Sequence, residues 1–324
     1  MPSQAQAVPN EDEFSFSAFA NQPFYRDVNS RLLGIAQVEN RATIIDLGCG
    51  TGGVTELMLD RLKTAREGLN ERVQAAKADL GGRVTAAREG LQDRVEAAKG
   101  ELQGRAQAAR ETVIYAIDHS AVALRAAVAG LGQRKEAAVR FVQAEVQQLS
   151  TAVREQADAI VYCNSIHYVP DKASLLAQLR QKLRPGGVLA INTSFFEGSH
   201  PQQTGEFYRR WMLRSFRILK REYDMMPDRA QKVEARRHLT ADEYVALLDK
   251  SGFKVTQKDL MDFEVPIEGW LTISAFSDWI QGIMPGVPLD KGRAALQKGL
   301  REVFAEMQLK TVPRTWLSLS AVRA

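Results

Sequence analysis

Repeatedly along this chain, a short β-rich run ends in a glycine turn, an acid or an asparagine and gives way to a segment with helical spacing. The first run, "ATIIDLGCGTGG" (42–53), closes in a G-x-G-x-G turn and leads into "VTELMLDRL". "VIYAIDHS" (113–120) follows with the alanine-rich "AVALRAAVAGLG" behind it, then "VRFVQAEVQQL" (139–149), "ADAIVYCNSIHYV" (157–169) and "RPGGVLAINTSFF" (184–196). The helical stretch "ASLLAQLRQKL" separates the last two. Such alternation predicts a doubly wound α/β fold, a parallel sheet with helices on both faces and ligands at the carboxyl ends of its strands.

One segment breaks the rhythm. From Arg61, arginine returns at Arg72, Arg83, Arg94 and Arg105, and the eleven-residue unit reads approximately R-V-x-A-A-[K/R]-x-x-L-x-x. Val73, Ala76, Leu80, Val84, Ala87, Leu91, Val95, Ala98 and Leu102 then form one stripe on a helix of ~3.67 residues per turn. The stripe is thin, and glycines such as Gly68, Gly90, Gly100 and Gly104 each cost roughly 1 kcal/mol of helix propensity relative to alanine. The expectation is a helical hairpin over 61–112 that turns near Gly81-Gly82, with arms of ~40 Å. Its partner is either its own second arm, a second subunit in self-association, or a membrane surface.

The remaining motifs sharpen the fold. "DLGCGTG" (Asp46 to Gly52), Asp118 ending the second strand, Glu145 ending the third, "NSIHYV" ending the fourth and "LRPGG" before the fifth resemble the class I S-adenosylmethionine-dependent methyltransferases. A dinucleotide-binding fingerprint fits less well, because Gly53 meets its spacing only through a GG pair. The resemblance implies a Rossmann-like seven-stranded sheet whose last two strands, the family's usual antiparallel pair, are "GFKVTQKDLMDFEV" and "TWLSLSAVR". The chain then divides into a cofactor-binding core (1–60 and 113–196), the insertion (61–112), a helical cap (197–251) and a C-terminal part of the sheet with further cap elements (252–324).

The resemblance also implies S-adenosyl-L-methionine as cofactor. Gly48, Gly50 and Gly52 permit close backbone approach to its methionine moiety. Asp118 suits both ribose hydroxyls, although the same position suits an ordinary helix-start acid. Glu145 stands where the family holds the adenine amino group, and Asp46 orients the loop. Cys49, Thr51, His119, Val146 and Asn164 complete the expected cofactor site, and no metal is expected.

Methyl transfer is mostly alignment of the acceptor, so a base is needed only if the acceptor must lose a proton. His167 is the candidate, with a cofactor-wall role as the alternative. Asn164 lacks the N-P-P-Y or D-P-P-Y context of amino-methylating nucleic-acid enzymes, and Cys163 lacks the neighbours of a pyrimidine-methylating nucleophile. Nucleic acid is therefore not the expected partner. Tyr25, Tyr168, Tyr208, Trp211 and Arg214 are the expected substrate contacts. In the cap stretch "FYRRWMLRSFRILKREYDMM", the cations Arg209, Arg210, Arg214, Arg217, Lys220 and Arg221 suit a carboxylate, a phosphate or an anionic membrane.

Composition excludes little more. A net charge of +4 is too mild to argue for nucleic acid, and no run approaches the ~18 to 20 apolar residues of a membrane span. Cys49 and Cys163 both fall at strand ends, which fits small core residues in a reducing cytosol rather than a disulfide. The expected location is cytoplasmic, with peripheral membrane contact left open. The expected function is methylation of a hydrophobic, optionally anionic, small molecule or lipid. The alternatives are a non-catalytic methyltransferase-fold scaffold acting through its hairpin and, ranked lower, a nucleic-acid methyltransferase.

Overall fold

In the computed structural model, which describes residues 16–83, 112–228 and 238–324, the β-rich runs form one mixed sheet. Its strands are β1 (Thr43–Leu47), β2 (Val113–Asp118), β3 (Ala138–Gln143), β4 (Ala157–Cys163), β5 (Leu183–Thr193), β6 (Phe253–Pro266) and β7 (Thr311–Arg323). They lie in the order β3-β2-β1-β4-β5-β7-β6. The first five are parallel, and β7 runs antiparallel to both β5 and β6. The chain steps outward from β1 to β3 and then returns to β4, so a crevice opens where the connections diverge, at the carboxyl ends of β1 and β4.

Strands β1, β2 and β4 are buried on both faces, which is why they read as unbroken apolar runs rather than alternating ones. Their period of two still sorts the side chains. Ile44, Ile114, Ala159 and Val161 pack under α2 (Pro23–Ala36), α3 (Gly53–Arg83) and α4 (Ala121–Leu131), with Leu32, Met58 and Leu131 among the helix contacts. Ile45, Ile117 and Ile160 face the other way, toward Leu175, Leu179 and Leu248. The latter belong to α6 (Lys172–Lys182) and α8 (Ala241–Lys250), the helix Thr240 and Glu243 begin as a capping box. The short helix α5 (Leu149–Ala152) follows β3.

A second apolar cluster stands beyond the strand ends. The helices α1 (Ser17–Ala20), α7 (Gly205–Tyr223), α9 (Ile267–Ile273), α10 (Ser277–Ile283) and α11 (Leu289–Glu306) build it, together with the early part of β7. It gathers Trp211, Trp270, Trp279 and Trp316, all four tryptophans of the chain.

The helix after the glycine turn differs from the expectation. Its buried contacts end at Leu62, none of the side chains from Lys63 to Ala75 is buried, and the backbone stays helical through Gly81 and Gly82 to Arg83. The expected turn is therefore absent at that glycine pair, because intrahelical hydrogen bonds carry the backbone on past the propensity cost of two glycines. The rest of the expected hairpin, 84–111, lies outside the described residues. Among the described residues no helix is long and apolar enough to cross a membrane.

Candidate active site

The turn after β1 is a left-handed glycine loop. Gly48, Gly50 and Gly52 have φ of 70°, 55° and 90°, a region L side chains avoid. A Cβ on Gly52 would lie 2.7 Å from Leu131 Cδ1 and 3.2 Å from Ala127 Cβ, so this glycine is needed for packing against α4. Gly50, in contrast, has open space where its Cβ would stand.

Asp118 latches the loop to β2. Its carboxylate accepts the Gly50 N–H at 2.8 Å and the Ser120 N–H at 2.9 Å. Ser120 in turn caps α4, its hydroxyl accepting the Ala123 N–H at 3.2 Å. Asp118 is thus the helix-start acid and also the carboxylate beside the open loop. His119 Nδ1 stands 3.5 Å from the same carboxylate.

Asp46 is buried beneath the loop and accepts the Thr55 hydroxyl at 2.6 Å, which ties β1 to the first turn of α3. Burial pushes its pKa up to about 7; the Thr55 bond opposes that rise and the Asp118 charge adds to it. The thiols of Cys49 and Cys163 are free, buried and held well above the ordinary thiol pKa by desolvation, so neither is a thiolate nucleophile.

Past β4 the chain turns sharply at Asn164, which is buried with φ of 46°. That strained conformation is over-determined. The Asn164 N–H donates to both the carbonyl and the Oδ1 of Asn192, and its own Oδ1 accepts from Ser194 N at 2.9 Å and Ser194 Oγ at 3.2 Å. Asn192 also donates to Asn29 Oδ1 on α2 at 2.9 Å. Next to this turn, the buried His167 ring stacks on Phe195 at 4.0 Å and against Tyr168 at 4.1 Å, with Nδ1 3.5 Å from Thr193 Oγ1. Tyr25, buried on α2, contacts Phe16, Phe19 and Trp316.

A narrow cavity opens beside Asn164 and Ser194, walled by Phe195, Trp270, Trp279 and Trp316, with Arg314 from β7 lining it. Arg314 donates to the Ser194 carbonyl at 2.7 Å and pairs with His200 Nε2 at 3.1 Å. His200 stacks on Tyr208 at 4.0 Å. Burial raises the Tyr208 phenol above its ordinary pKa, and the neighbouring guanidinium opposes that rise.

Comparison with known proteins now bears on this geometry. A family model described as a methyltransferase domain matches residues 19–258. The chain belongs to that family. The trans-aconitate 2-methyltransferase of Azoarcus sp. (strain BH72) is 26% identical over 197 residues, which are 60% of this chain and 55% of that protein. The chain therefore spans about half the length of the curated relative it matches. Among solved structures, the plantazolicin methyltransferase BamL is 14% identical with a TM-score of 0.45, covering 96% of this chain and 90% of its own. The N-methyltransferase NodS from Bradyrhizobium japonicum is 12% identical with a TM-score of 0.43, covering 97% and 93%.

S-adenosylmethionine is the cofactor of this methyltransferase family. The residues present fit such a group: a glycine loop open above Gly50 at the start of α3, with the Asp118 carboxylate beside it. Around that loop the methyltransferase fold gathers Cys49, Thr51 and His119 from the sequence expectation. Glu145 and Val146 follow β3, where Glu145 is exposed at the start of a short 3-10 turn (Val146–Gln148). Among the described residues no group of three His, Cys, Asp or Glu side chains could hold a metal ion.

The cap of this methyltransferase departs from its sequence expectation. Arg214 is engaged by Glu302 at 3.0 Å and Glu306 at 2.7 Å on α11, and Arg210 by Glu206 and Glu306. Arg209 pairs with Glu206 at 2.7 Å, Arg221 with Glu222, and Lys220 with Asp224. Arg210 and Arg214 are thus paired across the α7–α11 seam, and Arg209, Lys220 and Arg221 with acids on or next to α7 itself. Trp211 is likewise spent on packing: it is fully buried and its indole N–H donates to the Leu296 carbonyl at 2.8 Å. Tyr208 stands beside Arg314 but does not itself line the cavity. Arg314 itself, with His200, Phe195, Trp270 and Trp279, was absent from the sequence-based site. A signal existed in "VPRTWLSLS", where an arginine interrupts an apolar strand, but the strand was expected to begin only at Thr315.

Proposed function

We propose that this chain transfers the methyl group of S-adenosylmethionine to a small organic molecule bound in the aromatic cavity. The observation that carries the reading is a shared wall. Asn164 lines the cavity, while the next residue, Ser165, abuts the glycine loop, its Oγ 3.4 Å from where a Gly48 Cβ would stand. Loop and cavity thus meet at one strand end, as transfer between two ligands requires. In this reading the glycine loop and Asp118 hold the cofactor, and Asp46 keeps the loop in place through Thr55. When bound, the cofactor supplies a methyl group on a positively charged sulfur, which leaves as a neutral thioether once an acceptor lone pair bonds the carbon.

The chain's own residues then orient the acceptor and exclude water. Phe195, Trp270, Trp279 and Trp316 line the cavity with apolar rings, which suits an apolar acceptor body. His167, fixed by stacking between Tyr168 and Phe195, stands behind the Phe195 wall of that space. Calorimetric titration of the full-length chain with S-adenosylhomocysteine, followed by incubation with methyl-labelled cofactor and a small-metabolite extract, tests the reading. Binding and label transfer to a small product are expected; no binding of S-adenosylhomocysteine rejects it.

A further inference from the structure

The charge inventory of the acceptor cavity is unbalanced. Arg314 is only 5% exposed, and among the described residues it forms no ion pair. Arg209, Arg210, Arg214 and Arg221 of the cap each reach a glutamate, whereas Arg314 is held by neutral groups alone. One is the Ser194 carbonyl. The other is His200, whose pKa burial and the adjacent guanidinium push down to about 3. The imidazole is therefore neutral near pH 7, and since arginine has only donors, Nε2 must be the accepting nitrogen. The faces of Phe195, Trp279 and Trp270 stand 5.3, 5.6 and 5.9 Å from the guanidinium carbon and soften its desolvation without supplying a counter-charge.

We infer that Arg314 is the anion-receiving residue of the acceptor cavity, and that the molecule methylated carries a carboxylate on a flat apolar body. The inference rests on the methyl-transfer reading for the role of acceptor, and on the cavity alone for the anion. A buried cation without a partner is costly, and a ligand carboxylate removes that cost. The guanidinium has five donors, of which Ser194 and His200 occupy two with the Tyr208 phenol also beside it, and its planar fork matches a carboxylate. Its position is also preset: Ser194, which accepts from Arg314, is itself fastened to Asn164 by two hydrogen bonds. Aromatic side chains line the cavity beside it.

The test uses the full-length chain saturated with S-adenosylhomocysteine and follows tryptophan fluorescence during titration with phenylacetate or its neutral isostere phenylacetamide. The unmodified chain should bind the acid about 10- to 100-fold more tightly than the amide, the span expected for charge-assisted hydrogen bonds. Arg314→Gln should abolish that preference while leaving S-adenosylhomocysteine affinity within about threefold, and Arg314→Lys, which keeps the charge but not the fork, should fall between. Should Arg314→Gln fail to fold, thermal shifts of the unmodified chain decide, since phenylacetate and not phenylacetamide should raise Tm. Equal binding of acid and amide, binding of neither, or an unchanged preference in Arg314→Gln overturns the proposal. So does loss of S-adenosylhomocysteine affinity in that variant, which would move Arg314 to the cofactor half. An unmodified chain that binds no S-adenosylhomocysteine fails the methyl-transfer reading instead, and the acid–amide contrast still judges Arg314.

Discussion

The Arg314 guanidinium donates a 2.7 Å hydrogen bond to the Ser194 carbonyl, fastening the early part of β7 to the residue just past the end of β5. The register explains why they meet. Thr193, the last residue of β5, pairs with Leu317, so the antiparallel β7 overhangs the ligand end of the sheet by the residues that precede Leu317. A strand reversed in this way delivers its first side chains to the place where parallel neighbours deliver their last.

Asp118 has two tasks, and its removal should show both. Asp118→Ala is expected to weaken S-adenosylhomocysteine binding by about 1 to 3 kcal/mol, since the Gly50 N–H also loses its acceptor. Calorimetry on the folded variant checks this, and unchanged affinity would take Asp118 out of the cofactor site.

Asp46 should make stability depend on pH. Its folded-state pKa is raised from 3.8 to about 7, so folding favours the protonated form. That contribution is fully present below the unfolded pKa and is lost as pH rises through about 7. Asp46→Asn, which keeps an acceptor for Thr55, should therefore gain relative to the parent by up to about 1.4 kcal/mol per pH unit across the window. Urea unfolding at pH 4, 6 and 8 measures the difference; parallel curves for the two proteins would contradict it.

The second and third glycines of the loop, Gly50 and Gly52, should separate binding from packing. Gly52→Ala forces a methyl group against Leu131 and is expected to destabilise the fold by roughly 1–3 kcal/mol. Gly50→Ala meets open space and should cost only the left-handed backbone penalty of about 1 kcal/mol, while weakening the cofactor more. Denaturation and S-adenosylhomocysteine titration of both variants should rank them in opposite orders.

A carboxylate acceptor carries no proton that must leave. With a carboxylic acid as methyl acceptor, His167→Gln should keep turnover within about tenfold, whereas a general base would show a loss of ~10²- to 10⁴-fold. Steady-state kinetics across pH 6–9 would reveal either the flat profile expected or the deficit that assigns a base.

The helix α3 has no buried side chain from Lys63 to Ala75, and we propose that the insertion is separable from the chemistry. Replacing residues 66–110 by a short Gly/Ser linker is expected to preserve S-adenosylhomocysteine affinity within about threefold, because loop closure depends weakly on length. Self-association by sedimentation, or flotation with anionic liposomes, should diminish. A folded deletion variant that has lost the cofactor would place the insertion at the site.

Much of the core was legible residue by residue. The strand runs, the G-x-G-x-G turn, the acid of Asp118 and the Thr240–Glu243 capping box all lie where local patterning put them, because each depends on neighbours close in sequence. The cap was misread for the opposite reason. Cations at helical spacing on α7 look available until α11 brings Glu302 and Glu306 alongside, some 90 residues later in the chain.

By itself, then, the order of residues determined the alternating sheet, the glycine loop and the family to which they belong, since hydrophobic periodicity and backbone sterics are local properties. Tertiary structure alone decided which arginines acquired carboxylate partners. Arg214 sits in a cation-rich helix and Arg314 in an apolar strand, yet neither local sequence says which acid, if any, each will meet. The first acquired two glutamates from a packed helix, and the second was carried by a reversed strand into an aromatic cavity where, among the described residues, no carboxylate pairs with it. Ionic partnership is set by long-range packing, so the residue left with an unmatched buried charge emerges only once the chain is folded.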